Sequence, residues 1–206
     1  MLEAITLNDL IKDLNKRHGD AEEVPLALLI GSANCNFMRD NILQRINDYH
    51  HGSNYGINFY LPGYGAYWYG HLGPQETVCT INDVDWLYSS KLFNEFINEL
   101  ETRTRWEYSG EVELLLLSYK NGTLDFSEVV IFRLDKMVAE GVISSPANLF
   151  YKIFRRFKVV NSVHKASDQF TLKYIGEEIV KDITNTIPLV NQLMKGRHYC
   201  TRDISR

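Results

Sequence analysis

Apolar residues recur along this chain with two different periods, and the alternation between them predicts the architecture. Leu7, Leu10, Ile11 and Leu14 fall at i, i+3, i+4 and i+7, which lays one apolar stripe along a helix. Thr6 is placed to cap that helix, Asp9 favours its positive end, and Gly19 closes it. "VPLALLIG" (24–31) then follows, a short apolar run bounded by Pro and Gly that predicts a strand buried on both faces. "GSANCNFMRDNILQRINDYHHG" predicts a turn and a second helix, capped by Asn34 or Asn36, that buries Met38, Ile42, Ile46 and Tyr49. "GINFYL" predicts a second strand ending at Pro62, and "ETVCTI" a third. Ser89 or Ser90 caps a third helix in which Phe93, Phe96, Ile97 and Leu100 share one face, and "GEVELLLLSY" is the strongest strand signal in the chain.

The next stretch reads two ways. Asn121-Gly122 suits a type I′ hairpin turn, which would send a strand through "EVVIFRL". Yet Ser127 resembles a helix cap, Val130, Ile131, Leu134 and Val138 lie at helical spacing, and Gly141 is a natural terminator. The helix accounts for more residues and is the expectation taken forward. Ser145-Pro146 opens another helix through "ANLFYKIFRRF", with Pro at its first position. Beyond Asn161, "QFTLKYI" fits an edge strand and "EEIVKDITNTIPLVNQLMK" a helix bent by Pro188.

Strands alternating with helices predict an α/β fold: a single domain over residues 1–206, with a mainly parallel, Rossmann-like sheet flanked by helices on both faces. Its strands are expected near 26–30, 57–61, 77–81 and 112–118, and its part beyond about residue 161 is helical. In such sheets ligands bind beyond the carboxyl ends of the strands, where strand order reverses.

Composition narrows the class. The chain has 206 residues, 45% apolar and 23% charged, which is enough for a core and too apolar for general disorder. A net charge of −4 excludes a general nucleic-acid binder, which needs a basic footprint. No apolar run approaches the ~20 residues that span a bilayer, and "MLEAITLNDLIKDLNKRHGD" lacks the basic and apolar regions of a signal peptide. Cys35, Cys79 and Cys200 form no close pair. The expectation is a cytoplasmic protein that touches no membrane.

Candidate chemistry sits in three places. "LLIGSANCN" runs from strand through a small-residue turn into a helix, so Gly31, Ser32, Asn34 and Asn36 are candidates to hold a phosphate or carboxylate at the helix N-terminus. The turn is neither G-x-G-x-x-G nor a Walker A loop, and an ordinary strand-to-helix turn would look the same. Gly31→Val is expected to abolish nucleotide binding while leaving the fold largely intact.

"LPGYGAYWYGHLG" (61–73) is the second. Between Gly52 and Gly73 lie six of the chain's thirteen glycines, and seven aromatics fall between Tyr55 and Tyr69, so this is either a ligand-reading loop, a docking surface or a packed strand and turn. Tyr64, Tyr67, Trp68 and His71 are its candidate ligand-binding residues, since Tyr and Trp join apolar bodies to polar tips. If Trp68 is a rim residue, Trp68→Ala costs little stability and much function.

The third comprises the carboxylates Asp83, Asp85 and Glu113. The two aspartates follow a strand end, where an acid, base or metal ligand belongs, although a solvated turn has the same composition. Glu113 within "GEVELLLL" either faces inward, needing a partner and gaining a raised pKa, or points outward at the sheet margin. His50-His51 and His71 form no H-E-x-x-H and no C-x-x-C is present, so neither a metal site nor a cofactor is expected. The basic, aromatic cluster "FRRFK" (154–158) reads as a solvated or partner-facing helix edge.

"FNEFINELETRTRWEYSGEVELLLLSYKNGTLDFS" followed by "GVISSPANLFYKIF" resembles small uncharacterised bacterial proteins of conflict and anti-phage defence loci, over roughly residues 93–154. The resemblance implies a multi-protein setting and a nucleotide-related activity or signal, and carries no catalytic residues with it. The first strand-turn-helix is also compatible with Rossmann-like hydrolases and transferases acting on nucleosides or NAD. Two functions therefore stand as expectations. One is binding of a nucleotide- or NAD-type ligand, with cleavage of an N-glycosidic bond as the chemistry. The other is a non-enzymatic sensor or assembly subunit that meets a protein partner, or its own copy, through the aromatic segment.

Overall fold

A computed structural model describes residues 2–19, 23–53, 56–68, 75–163, 172–184 and 197–206. His71, the bend at Pro188 and the first residues of "QFTLKYI" lie outside that set. Strand β1 (Leu2–Ala4) leads into helix α1 (Leu7–His18), whose N-cap is Thr6 as its sequence predicts: the Asp9 N–H donates to the Thr6 hydroxyl at 3.1 Å. Strand β2 (Val24–Ile30) is buried along its whole length. The second helix is not continuous. A π turn (Met38–Ile42) and a 3₁₀ turn (Leu43–Arg45) precede α2 (Ile46–Ser53), and no asparagine side chain caps the start. Met38, Ile42, Ile46 and Tyr49 are buried all the same. Strands β3 (Asn58–Pro62), β4 (Tyr64–Ala66), β5 (Glu76–Ile81) and β6 (Val84–Tyr88) follow, then α3 (Ser90–Arg103), capped by Ser89. The chain continues through β7 (Glu113–Lys120), β8 (Thr123–Arg133), α4 (Leu134–Ala139), α5 (Pro146–Val163), α6 (Leu172–Thr184) and β9 (Tyr199–Arg202).

The strands form a six-stranded sheet in the order β1-β3-β2-β7-β8-β9 and a three-stranded sheet in the order β4-β6-β5. The fold is mixed α/β, and the parallel character is partial. β1, β3 and β2 run parallel, whereas β2, β7, β8 and β9 pair antiparallel. The expected place of residues 77–81 is corrected: they form β5 in the small antiparallel sheet, not a strand of the central one. The hairpin responsible turns on Asn82 and Asp83, both at positive φ (50° and 61°), the type I′ geometry.

The ambiguous stretch also resolves against the expected helix. Asn121 and Gly122 (φ 51° and 82°) make the type I′ turn, and β8 runs back along β7 to Arg133. Val129, Val130, Ile131 and Phe132 are all buried, because β8 lies between two strands and is covered on both faces. Such a run has no period of its own, so helical spacing can be picked out of it by chance. Leu172 onward is likewise helix, not edge strand, and β9 carried no sequence signal strong enough to be expected.

Helices cover both faces of the large sheet, because side chains alternate along its strands. Tyr60 and Tyr119 point to one face, donating to Asp13 (2.7 Å) and Asn15 of α1. Phe59 points to the other, edge-on to Phe150 of α5 with ring centroids 5.6 Å apart, and Tyr49 of α2 meets the same Phe150 at 4.6 Å. The chain therefore leaves β1 toward one face and β2 toward the opposite one. No helix among the described residues is long and apolar enough to cross a membrane.

Candidate functional site

The loop after β2 leads toward the α2 face, while the chain after β3 leads through the small sheet to α3, which lies with α1 on the other face. Between the carboxyl ends of β2 and β3 the connections thus diverge, and that crevice is where open α/β sheets take ligands. Gly31, Ser32 and Ala33 line one side of it and Tyr64 the other.

The inner crevice is filled by the protein's own tyrosines. The Tyr64 hydroxyl donates to the Gly31 carbonyl at 2.8 Å, and the Tyr88 hydroxyl lies 2.9 Å from Ser32 Oγ. The backbone N–H of Ser32 is aimed at the Tyr108 hydroxyl and that of Ala33 at Tyr88. Asn34 N–H donates to Ser32 Oγ (3.2 Å) and Cys35 N–H to the Ser32 carbonyl (3.0 Å). The Asn34 and Cys35 backbone N–H groups therefore already have partners, and a phosphate would have to displace a phenol to reach those of Ser32 and Ala33. Gly31 is small for a different reason. A Cβ there would sit 3.0 Å from Met38 Sδ and 3.1 Å from a Val112 methyl, so the glycine serves packing between β2, the π turn and the residue before β7. Asn36 is exposed and accepts from the Arg39 guanidinium at 2.5 Å.

The tyrosines stack inward as a cluster: Tyr64 and Tyr88 have ring centroids 4.8 Å apart, and Phe93 meets Tyr108 edge-on at 5.6 Å. Burial raises the Tyr64, Tyr88 and Tyr108 phenols above their ordinary value, with the Cys35 and Glu113 charges adding to the rise at Tyr108. The Cys79 thiol is pushed up to about 12, chiefly by burial, and is no nucleophile at neutral pH.

Outside this plug an open cavity of about 280 Å³ remains, lined by Asn34, Gln75, Glu76, Tyr88 and Ser90. Four of those five were not singled out from the sequence. Tyr88 belongs to a strand that the sequence did not predict, Ser90 was read only as a helix cap, and Glu76 opens, just after Gln75, a strand whose partner was not foreseen. A larger cavity of about 420 Å³ lies at the opposite, amino ends of β2 and β3. Its polar groups are engaged internally, His18 with Asn58 (3.0 Å) and Glu23 with Ser118 (2.6 Å).

The glycine-aromatic segment divides. Tyr64 and Trp68 are core: Trp68 is 5% exposed, packs with Ile5, Leu87 and Leu92, and donates from Nε1 to Glu3 at 2.5 Å. Among the described residues of the segment, Tyr67 alone faces outward, 73% exposed and held at φ 63°. The expectation of Trp68 as a rim residue is thus corrected.

The three carboxylates do not converge. Asp83 is exposed in the hairpin turn, five residues from Tyr88 along β6, or roughly 16 Å at strand rise. Asp85 is exposed on the opposite strand face from Tyr88 and accepts from Thr80 at 3.3 Å. Glu113 faces inward, only 2% exposed, and accepts from Trp106 Nε1 at 3.0 Å. Burial raises its pKa, opposed by hydrogen bonds from Ser109 and Trp106 and by the charges of Arg133 and Arg202. It lies behind Tyr108 and not on the cavity wall. A carboxyl raised in the folded state binds protons more readily there than in the unfolded chain. Its contribution is fully present below the unfolded value near 4.5 and is lost as pH rises through the folded one. The melting temperature of the wild type, relative to Glu113→Gln, should therefore fall as the pH is raised above about 4.5; a pH-independent difference would contradict the raised carboxyl.

Neither family models, nor characterised proteins, nor solved structures give a match to this chain. Among the described residues no group of three or more His, Cys, Asp or Glu side chains is placed to hold a metal ion.

Proposed function

We propose that the protein binds the nucleoside part of a nucleotide- or NAD-type ligand in the outer crevice beyond β2 and β3. The observation that supports this reading is the coincidence of a switch point in the sheet with a cavity whose walls offer Asn34, Gln75, Glu76, Tyr88 and Ser90. This is a neutral-to-acidic hydrogen-bonding set with one aromatic ring. It suits ribose hydroxyls and the edges and face of a base, and it is a poor phosphate cradle because no cation among the described residues lines it. Glu76 is the carboxylate on that wall. In an N-glycosidic cleavage, where water adds at the anomeric carbon and the base leaves with a proton, Glu76 takes the acid–base role that Asp83, Asp85 and Glu113 stand too far away or too deep to fill. The resemblance to conflict-locus proteins gives this activity its setting as a component of a bacterial defence system.

Calorimetry with adenosine, NAD and inorganic pyrophosphate tests the reading, with chromatography of the mixtures for released base. Adenosine and NAD should bind, pyrophosphate should not, and Glu76→Gln should weaken adenosine at least tenfold. No heat with either nucleoside compound, or binding untouched by Glu76→Gln, would overturn it. Base release that Glu76→Gln leaves unchanged would remove the catalytic role.

A second reading rests on Tyr67. A ring 73% exposed, fixed by the buried residues on either side of it, is a ready contact for a protein partner or a second copy of the chain.

A further inference from the structure

The groove between α5 and α6 carries chemistry that the crevice lacks. Tyr151, Lys152, Arg155 and Arg156 lie at i, i+1, i+4 and i+5 on α5, hence on one face, and Asp182 of α6 stands opposite. Together they line a cavity of about 550 Å³, within the size range of small-molecule sites. Among the described residues three cations meet two carboxylates there, Asp182 on the wall and Glu178 beside it, in a chain whose net charge is −4.

The groove is partly organised before any ligand arrives. Arg156 is held by Asp182 at 3.0 Å and Glu178 at 3.4 Å, and the Lys152 ammonium donates to the Asp182 carbonyl. Arg155 is exposed and makes no ion pair with a carboxylate among the described residues. One turn before it stands Tyr151, 67% exposed, although its neighbours Leu149, Phe150 and Ile153 are fully buried. Among the described residues no hydrogen bond or ring contact engages that ring.

We propose that this groove is a second ligand site, distinct from the crevice, for an aromatic ring joined to a phosphate: a nucleoside monophosphate. The base stacks on Tyr151, as bases stack on exposed aromatics. The phosphate meets the Arg155 guanidinium, whose planar fork matches two phosphate oxygens, with Lys152 as a second cation. Arg156, already paired with two carboxylates, frames the groove and positions its neighbours.

The test is calorimetry at low salt with adenosine monophosphate, adenosine and inorganic phosphate. The proteins are the wild type, Arg155→Glu, Tyr151→Ala and, as a crevice control, Glu76→Gln. Both groove positions are exposed, so unchanged melting temperatures confirm that each variant is folded. Adenosine monophosphate should bind at least tenfold more weakly to Arg155→Glu and to Tyr151→Ala than to the wild type, and in all proteins more weakly as salt is raised. At the groove, Glu76→Gln should change nothing. Equal binding to all four proteins, loss confined to Glu76→Gln, or no binding to the wild type would each overturn the proposal. So would a single-stranded oligonucleotide that binds far more tightly than the mononucleotide with the same dependence on Arg155. Adenosine binding lost in Glu76→Gln but kept in Arg155→Glu reports on the crevice alone, so the two sites can fail independently.

Discussion

Trp68→Ala is expected to lower the unfolding free energy by about 3–5 kcal/mol, the range for deleting a buried aromatic side chain. The indole fills the space between the start of the chain and the small sheet, against Ile5, Leu87 and Leu92. Its Nε1–H is also the donor to Glu3, a carboxyl already raised by burial, and removing it leaves that group without its hydrogen bond. The closeness of the fit shows at Gly65, where a Cβ would lie 2.1 Å from the Trp68 ring. Chemical denaturation of the variant measures the effect. Tyr67→Ala, at the exposed neighbouring position, should leave the melting temperature within a degree or two of the wild type. A small loss for Trp68→Ala would show that the ring is not a core anchor. Partner binding lost in Tyr67→Ala alone would support the interface reading.

Gly31→Val should destabilise the protein by about 1–3 kcal/mol through overpacking, and more if the β2 end cannot shift. Met38 Sδ and both Val112 methyls would lie within 3.0–3.2 Å of the new Cβ before its own two methyls are placed. The Gly31 carbonyl is also the acceptor for Tyr64, so a shift of this backbone disturbs the tyrosine cluster. A denaturation midpoint equal to that of the wild type would show that the turn has room, and would revive it as an open ligand cradle.

The sequence by itself determined the elements whose residues have one job. Thr6 and Ser89 cap helices because a hydroxyl at that position has nothing better to bond than a free backbone N–H. The α1 and α3 stripes were legible because one helical face is buried and the other is wet, and β2 because a run without polar residues can only lie inside. The inward-facing choice for Glu113 was also stated there as one of two, with the raised pKa that goes with it.

Tertiary structure decided what depends on partners distant in sequence. Whether "EVVIFRL" is strand or helix turned on β7 and β9 lying on either side of it, and whether "ETVCTI" joined the large sheet turned on the Asn82-Asp83 turn folding it onto β6. The candidate site was moved by the same cause. Its turn was found in the sequence, yet the phenols that fill it come from Tyr64, Tyr88 and Tyr108, on three separate segments with no shared periodicity. Local pattern reports whether a side chain is buried or wet; only the packed sheets determine which buried side chains meet, and so which backbone donors are left for a ligand.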